Sequence, residues 1–214
     1  MQIRSFEFNP LQENTYVLFD DTKECVIIDP GCYDQHEKDT LTDFIDSNAL
    51  VVKAIWNTHC HIDHVLGNAF LKFKYKTQLY IHPKDEPVLK AVKVYAPNYG
   101  MAAYQEAEVD GYFEEGQTLT FGNQVLDVLF VPGHAPGHVA FYNKASKMLI
   151  AGDVLFYNSI GRTDLPGGNY ETLVHSIHQK LFTLPDDVIV YPGHGPETSI
   201  GFEKRTNPFV GLGT

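Results

Sequence analysis

Positive charge is in short supply in this chain. Lysine and arginine number 16 against 27 acidic residues, a formal net charge of -11. Gripping a phosphate backbone takes clustered Lys and Arg, so a nucleic-acid partner is not expected. Cysteine is scarce as well. Cys25, Cys32 and Cys60 are odd in number and too few for a disulfide scaffold, which makes a reducing cytoplasm the expected compartment. No apolar run approaches the roughly 20 residues of a membrane-crossing helix, and Met1 to Pro10 holds no signal-peptide core. No membrane partner is expected either. The absence of any GxGxxG or Walker glycine loop removes support for nucleotide binding, and the absence of GxSxG removes a serine nucleophile. Linkers, low-complexity tracts and long charge runs are missing too. At 214 residues, 43% hydrophobic and 20% charged, the chain reads as one globular domain over 1–214.

What is present is concentrated in Thr58-His59-Cys60-His61-Ile62-Asp63-His64. Imidazole nitrogen and carboxylate oxygen are the ligands that zinc and neighbouring divalent metals take. In an extended segment His59 and His61 point to the same side, and Cys60 points to the other as a packed thiol. If a helix starts right after, Asp63 and His64 swing to a neighbouring point. Two offset pairs suit two adjacent metals better than one. The bland alternative is a polar turn rich in histidine, but such groups are costly to keep together without a cation.

Residues 2–8, 14–20 and 25–28 read as three strands, the last stopped by Asp29-Pro30-Gly31, and short links between them suggest an antiparallel meander. A helix is expected over 36–47. Val51 to Trp56 is a buried strand that leads into the histidine cluster, and helical spacing resumes at Val65, Leu66, Ala69, Phe70 and Phe73. A strand at 78–81 and a helix over 84–94 follow. Residues 95–110 read either as a packed aromatic-rich loop or as a substrate-facing lid. Strands are expected at 118–121, 125–131, 139–142, 148–151 and 188–191, with a helix over 170–183.

Separate strands therefore end in candidate ligands. The 51–56 strand delivers His59, His61, Asp63 and His64; the others deliver His134, Asp153 and His194. Gly or Pro beside each forces an abrupt exit from the strand. One such histidine means little, but the shared placement points to a shared site. His138 reads as structural or as a support for the ligands. His82 reads as a turn residue, and His36, His175 and His178 as surface or helix-face residues.

The set HxHxDH, the histidine of PGHAPGH, the aspartate of AGD and the histidine of PGHG resemble the metallo-β-lactamase superfamily across nearly the whole chain. The resemblance implies an α/β fold, a four-layer αβ/βα sandwich of two facing mixed β-sheets. It implies two divalent metal ions, zinc first with iron or manganese as alternatives. His59, His61 and His134 would hold one, and Asp63, His64 and His194 the other, with Asp153 between both. Such a pair provides a hydroxide at neutral pH, and Asp63 has an added catalytic role in orienting the attacking water.

Within the superfamily, Gly152-Asp153-Val154-Leu155-Phe156, Ser159 to Asp164 and Asn9 to Thr15 resemble glyoxalase II, the hydroxyacylglutathione hydrolases. That implies hydrolysis of a small-molecule thioester such as S-lactoylglutathione. Arg162 lies where that group carries a basic residue for a glutathione carboxylate, a contact suited to a guanidinium. A structural salt bridge is the alternative reading. Only 20 residues follow His194 (214 − 194), too few for the helical extension of the longer enzymes, so the chain resembles the short, single-domain type. Asp164 departs from the pattern, standing where the longer enzymes tend to carry an aromatic residue. Competing expectations are a persulfide dioxygenase with one iron, a lactonase or β-lactamase, and a non-catalytic adaptor.

Overall fold

The computed structural model describes residues 1–213, and the chain forms two compact units. The first is Met1–Phe113 with Thr120–Gln124; the second is Glu114–Leu119 with the residues from Val125 on.

In the first unit, β1 (Gln2–Phe8), β2 (Glu13–Phe19) and β3 (Glu24–Ile28) form the expected antiparallel meander, with Gln2 opposite Phe19 and Tyr16 opposite Ile28. Helix α1 (Gln35–Ser47) starts at Asp34, whose carboxylate accepts from the Glu37 N–H while the Glu37 side chain reaches back, a reciprocal cap. Leu41 and Ile45, one turn apart, are fully buried, each worth about 1.5–3 kcal/mol relative to exposure. The chain then returns as β4 (Val51–Trp56), parallel to β3. The helix expected after the histidine cluster is two pieces, α2 (Ile62–Val65) and α3 (Asn68–Tyr75). The break falls at Gly67, whose N–H donates to the Pro30 carbonyl at 2.7 Å. A Cβ there would sit 2.5 Å from the Cys32 Sγ, so close approach demands glycine. Strand β5 (Gln78–Ile81), helix α4 (Glu86–Tyr95) and β6 (Gly111–Tyr112) complete a six-stranded mixed sheet ordered β1 to β6. Met101, Ala107 and Tyr104, from the 95–110 loop, pack on the core of this unit.

Strands β7 (Thr118–Phe121) and β8 (Gln124–Phe130) belong to the second unit apart from Thr120–Gln124, and β9 (Val139–Asn143) and β10 (Met148–Gly152) follow in that unit. Every residue of β9 is buried, as expected for a central strand. A two-stranded ribbon, β11 (Leu155–Phe156) and β12 (Ser159–Ile160), follows. Helix α5 (Tyr170–Ser176) is capped by the Asn169 side chain and runs on as a π-turn over Ile177–Leu181, within the helical span expected from spacing. Then come β13 (Ile189–Pro192), parallel to β10, β14 (Thr198–Ser199) and α6 (Ile200–Thr206). The sheet order is β14-β13-β10-β9-β8-β7, again mixed. Leu149, Leu173, Ile177, Leu181 and Ile200 make the core of this unit. No helix among the described residues is long and apolar enough to cross a membrane.

Candidate metal centre

In the first unit, β4 ends at Trp56 and the ligand cluster follows at once. His59 is buried, and its ring lies 4.7 Å from that of His61 and 4.1 Å from that of His64. Imidazoles this close, in so dry a place, need a shared positive partner or a hydrogen-bond net to offset their desolvation. The net is organised by Asp29, at the end of β3. Its Oδ1 accepts from the Thr58 N–H at 2.7 Å, and its Oδ2 from the Thr58 hydroxyl at 2.6 Å. The Nδ1 of His64 lies 3.2 Å from the same Oδ2.

Proton counting then fixes the tautomers. The Thr58 hydroxyl has one proton and gives it to Asp29, so toward the His59 Nδ1, 3.1 Å away, it acts as acceptor. His59 and His64 therefore each carry hydrogen on Nδ1, and in the neutral ring this leaves the lone pair on Nε2, the state a metal ligand requires. The His64 Nε2 lies 3.6 Å from Asp63 Oδ2. That is too long for a hydrogen bond but matches the edge of a tetrahedron with bonds of about 2.1 Å, roughly 3.4 Å. Asp29, His59 and His64 also lie close enough to form a ligand group themselves. With its oxygens engaged by Thr58 and His64, Asp29 instead braces the candidate ligands from behind.

Further bracing comes from the loops. The Asn9 side chain donates to the carbonyls of Gly31 and Asp63, both at 3.1 Å. Asp85, fully buried, accepts from the Cys60 N–H at 2.7 Å. The Cys60 side chain belongs to the apolar core, and burial pushes its thiol well above the usual value, with Asp85 adding to the effect. It is the packed thiol the alternation implied.

In the second unit, His134, Asp153 and His194 follow β8, β10 and β13. They are far apart in sequence, yet both imidazoles come to Asp153. The Nε2 atoms of His134 and His194 each stand 3.5 Å from its Oδ2, again the spacing of atoms around a cation. The His134 Nδ1 is 2.8 Å from the Arg162 carbonyl, which accepts its proton and leaves the lone pair on Nε2. Gly161 makes this possible: a Cβ there would lie 2.0 Å from the Asp153 carbonyl oxygen. His138 is fully buried, and its Nε2 accepts from the Asp153 N–H at 3.0 Å, so it supports a ligand. The Arg162 side chain is exposed and forms a bidentate pair with Asp164, both contacts 2.7 Å. In each unit the donor set, tautomers and spacings fit divalent cations.

Asp29 and Thr58 are the functional residues that sequence reading passed over. Asp29 looked only like a strand stop, yet it sits at a strand end like the ligands themselves.

A model of the metallo-beta-lactamase superfamily matches residues 8–194. The chain belongs to that superfamily, and its two mixed sheets agree with the α/β fold of the solved relatives. It is 37% identical over 212 residues to the hydroxyacylglutathione hydrolase GloC of Haemophilus influenzae, covering 98% of each chain. Among solved structures it resembles the BLEG-1 B3 metallo-beta-lactamase, with a TM-score of 0.89, 36% identity and coverage of 98% and 99%. It also resembles TTHA1623 in a di-iron-bound form, with a TM-score of 0.86, 38% identity and coverage of 96% and 99%. ETHE1 from Myxococcus xanthus gives a TM-score of 0.81 at 26% identity, with coverage of 98% and 85%.

Proposed function

We propose that the protein is a metal-dependent thioester hydrolase of the hydroxyacylglutathione hydrolase kind, cleaving S-lactoylglutathione or a related acyl-thiol. The observation that carries this is Asp153 standing 3.5 Å from two imidazole Nε2 atoms, with the His134 tautomer set by a backbone carbonyl. Full-length similarity to GloC supports the thioester class. In this reading both units work as one domain, which a single family match running from 8 to 194 supports. His59, His61 and His134 would hold one divalent ion and Asp63, His64 and His194 a second, with Asp153 a candidate ligand of either. Zinc is the first expectation, and iron or manganese suits the same donors.

When bound, such a pair lowers the pKa of water toward neutrality and polarises a carbonyl. The chain's own residues do the rest. Asp29 and Thr58 keep hydrogen on the Nδ1 atoms of His64 and His59, the Arg162 carbonyl does so for His134, and Asp63 orients the attacking water. Arg162 meets a carboxylate of the thiol portion. The substrate is a small molecule, the compartment cytoplasmic, and neither nucleic acid nor membrane takes part.

A second reading, a persulfide dioxygenase with a single iron, is left open by the likeness to ETHE1. Metal analysis of the purified protein beside thioester cleavage and oxygen uptake separates the two. The hydrolase gives about two metals per chain and free thiol from S-lactoylglutathione. One iron per chain, with oxygen consumed on glutathione persulfide, would replace it.

A further inference from the structure

We infer that Glu203 is a positioning residue of the candidate metal centre: from α6 it holds the β11–β12 ribbon, and through the ribbon it sets the orientation of His134. This deepens the proposed function and rests on its reading of His134 as a metal ligand.

Within the second unit the ribbon touches three of the candidate ligands. Its exit supplies the Arg162 carbonyl that accepts from His134 Nδ1 at 2.8 Å. Phe156, on β11, meets the His194 ring edge to face, with 6.3 Å between centroids. The Gly161 N–H donates to the Val154 carbonyl at 3.3 Å, next to Asp153 in the chain. A Cβ at Gly161 would lie 2.0 Å from the Asp153 carbonyl oxygen and 3.1 Å from His134 Nδ1, so the exit is pressed against both.

A ribbon of two strands, each of two residues, does not keep its shape unaided. Glu203, fully buried, keeps it. Both of its oxygens lie 3.2 Å from the Asn158 N–H, at the ribbon's turn. Oε1 also accepts from Thr198 Oγ1 at 2.5 Å, and Oε2 from Asn207 Nδ2 at 2.7 Å. The same Asn207 amide donates to the Ser159 carbonyl at 3.1 Å. The turn is thus held at two successive residues, Asn158 and Ser159, just before the chain reaches Arg162. Three donors converge on two oxygens, so a replacement that carries hydrogen there sets donor against donor. A ribbon free to shift takes the Arg162 carbonyl off the line of the His134 Nδ1–H. The ring then turns, and the lone pair on Nε2 leaves the direction of the cation.

The test uses zinc-loaded, full-length protein and reads the His134 Nδ1 proton by NMR, its signal assigned by loss in His134→Asn. Glu203→Gln changes the shape little and puts an amide among the converging donors. Solvent exchange of the ring proton should quicken about three- to tenfold, and zinc affinity against a chelator should fall by a similar factor, less than for a group that touches a ligand directly. KM for S-lactoylglutathione should stay within about twofold while kcat falls. Ile177→Val, in the core of the same unit and in none of these hydrogen bonds, is the control, each variant being measured equally far below its melting temperature. Unchanged exchange in Glu203→Gln, or equal quickening in Ile177→Val, would overturn the inference. Where Glu203→Gln does not fold, Asn207→Ser cuts the hold on Ser159 from the other side: quickened exchange supports the inference and unchanged exchange overturns it. If neither the wild type nor any variant cleaves the ester, the hydrolase reading falls, and the ring proton still decides the role of Glu203.

Discussion

The two units build one plan twice and use it differently. In each, three antiparallel strands are followed by a helix and a strand parallel to the third, β1-β2-β3 with α1 and β4, then β8-β9-β10 with α5 and β13. In each, an aspartate follows the third strand of the meander and histidine follows the parallel strand. Yet Asp29 meets Nδ1 of His64 at 3.2 Å, while Asp153 meets Nε2 of His134 and of His194 at 3.5 Å. The first is a hydrogen bond and the second is not. A carboxylate on the Nδ1 side braces an imidazole; one on the Nε2 side stands where, in the proposed centre, it would be a fellow ligand. In the proposed centre the same residue type at the same strand end would thus have opposite duties, decided by which ring nitrogen faces it. The bracing in the second unit falls instead to a backbone carbonyl, that of Arg162.

If this distinction holds, the two aspartates respond very differently to loss of charge. Asp153→Asn should lower turnover by at least about 10³-fold and reduce metal content, with the circular dichroism spectrum retained. Asp29→Asn keeps one carbonyl oxygen for Thr58 and should cost about 10- to 100-fold in metal affinity or activity, the usual range for a group behind a ligand. Equal losses in the two variants would erase the difference between brace and ligand.

Much of this was legible in the sequence because ligand chemistry concentrates at strand ends. The His59–His64 cluster, His134, Asp153 and His194 all stood beside turn residues, and the strands before them read clearly from their apolar runs. The braces were not legible. Asp29 acts on Thr58 and His64 across a gap of about thirty positions, and nothing local marks such a contact. The division of one expected helix into α2 and α3 was hidden for a similar reason. It depends on Pro30 and Cys32 crowding Gly67, a packing fact with no periodicity of its own. The anchoring of Asn158 by Glu203 spans 45 positions and escaped in the same way.

The smallest effect sharpens the comparison most, because Arg162 carries both kinds of contact in one residue. Its carbonyl braces His134 and its side chain, exposed, pairs with Asp164. Arg162→Ala removes the second and keeps the first, since every residue has a carbonyl. The variant should raise KM for a carboxylate-bearing thioester by about two- to fivefold, the scale of an exposed ion pair, and lower kcat by less. Metal content should stay with the wild type. A drop in kcat with loss of metal would mean that the guanidinium, not the carbonyl alone, holds His134 in place. An unchanged KM would leave the side chain as a surface salt bridge and confine the residue's work to its main chain.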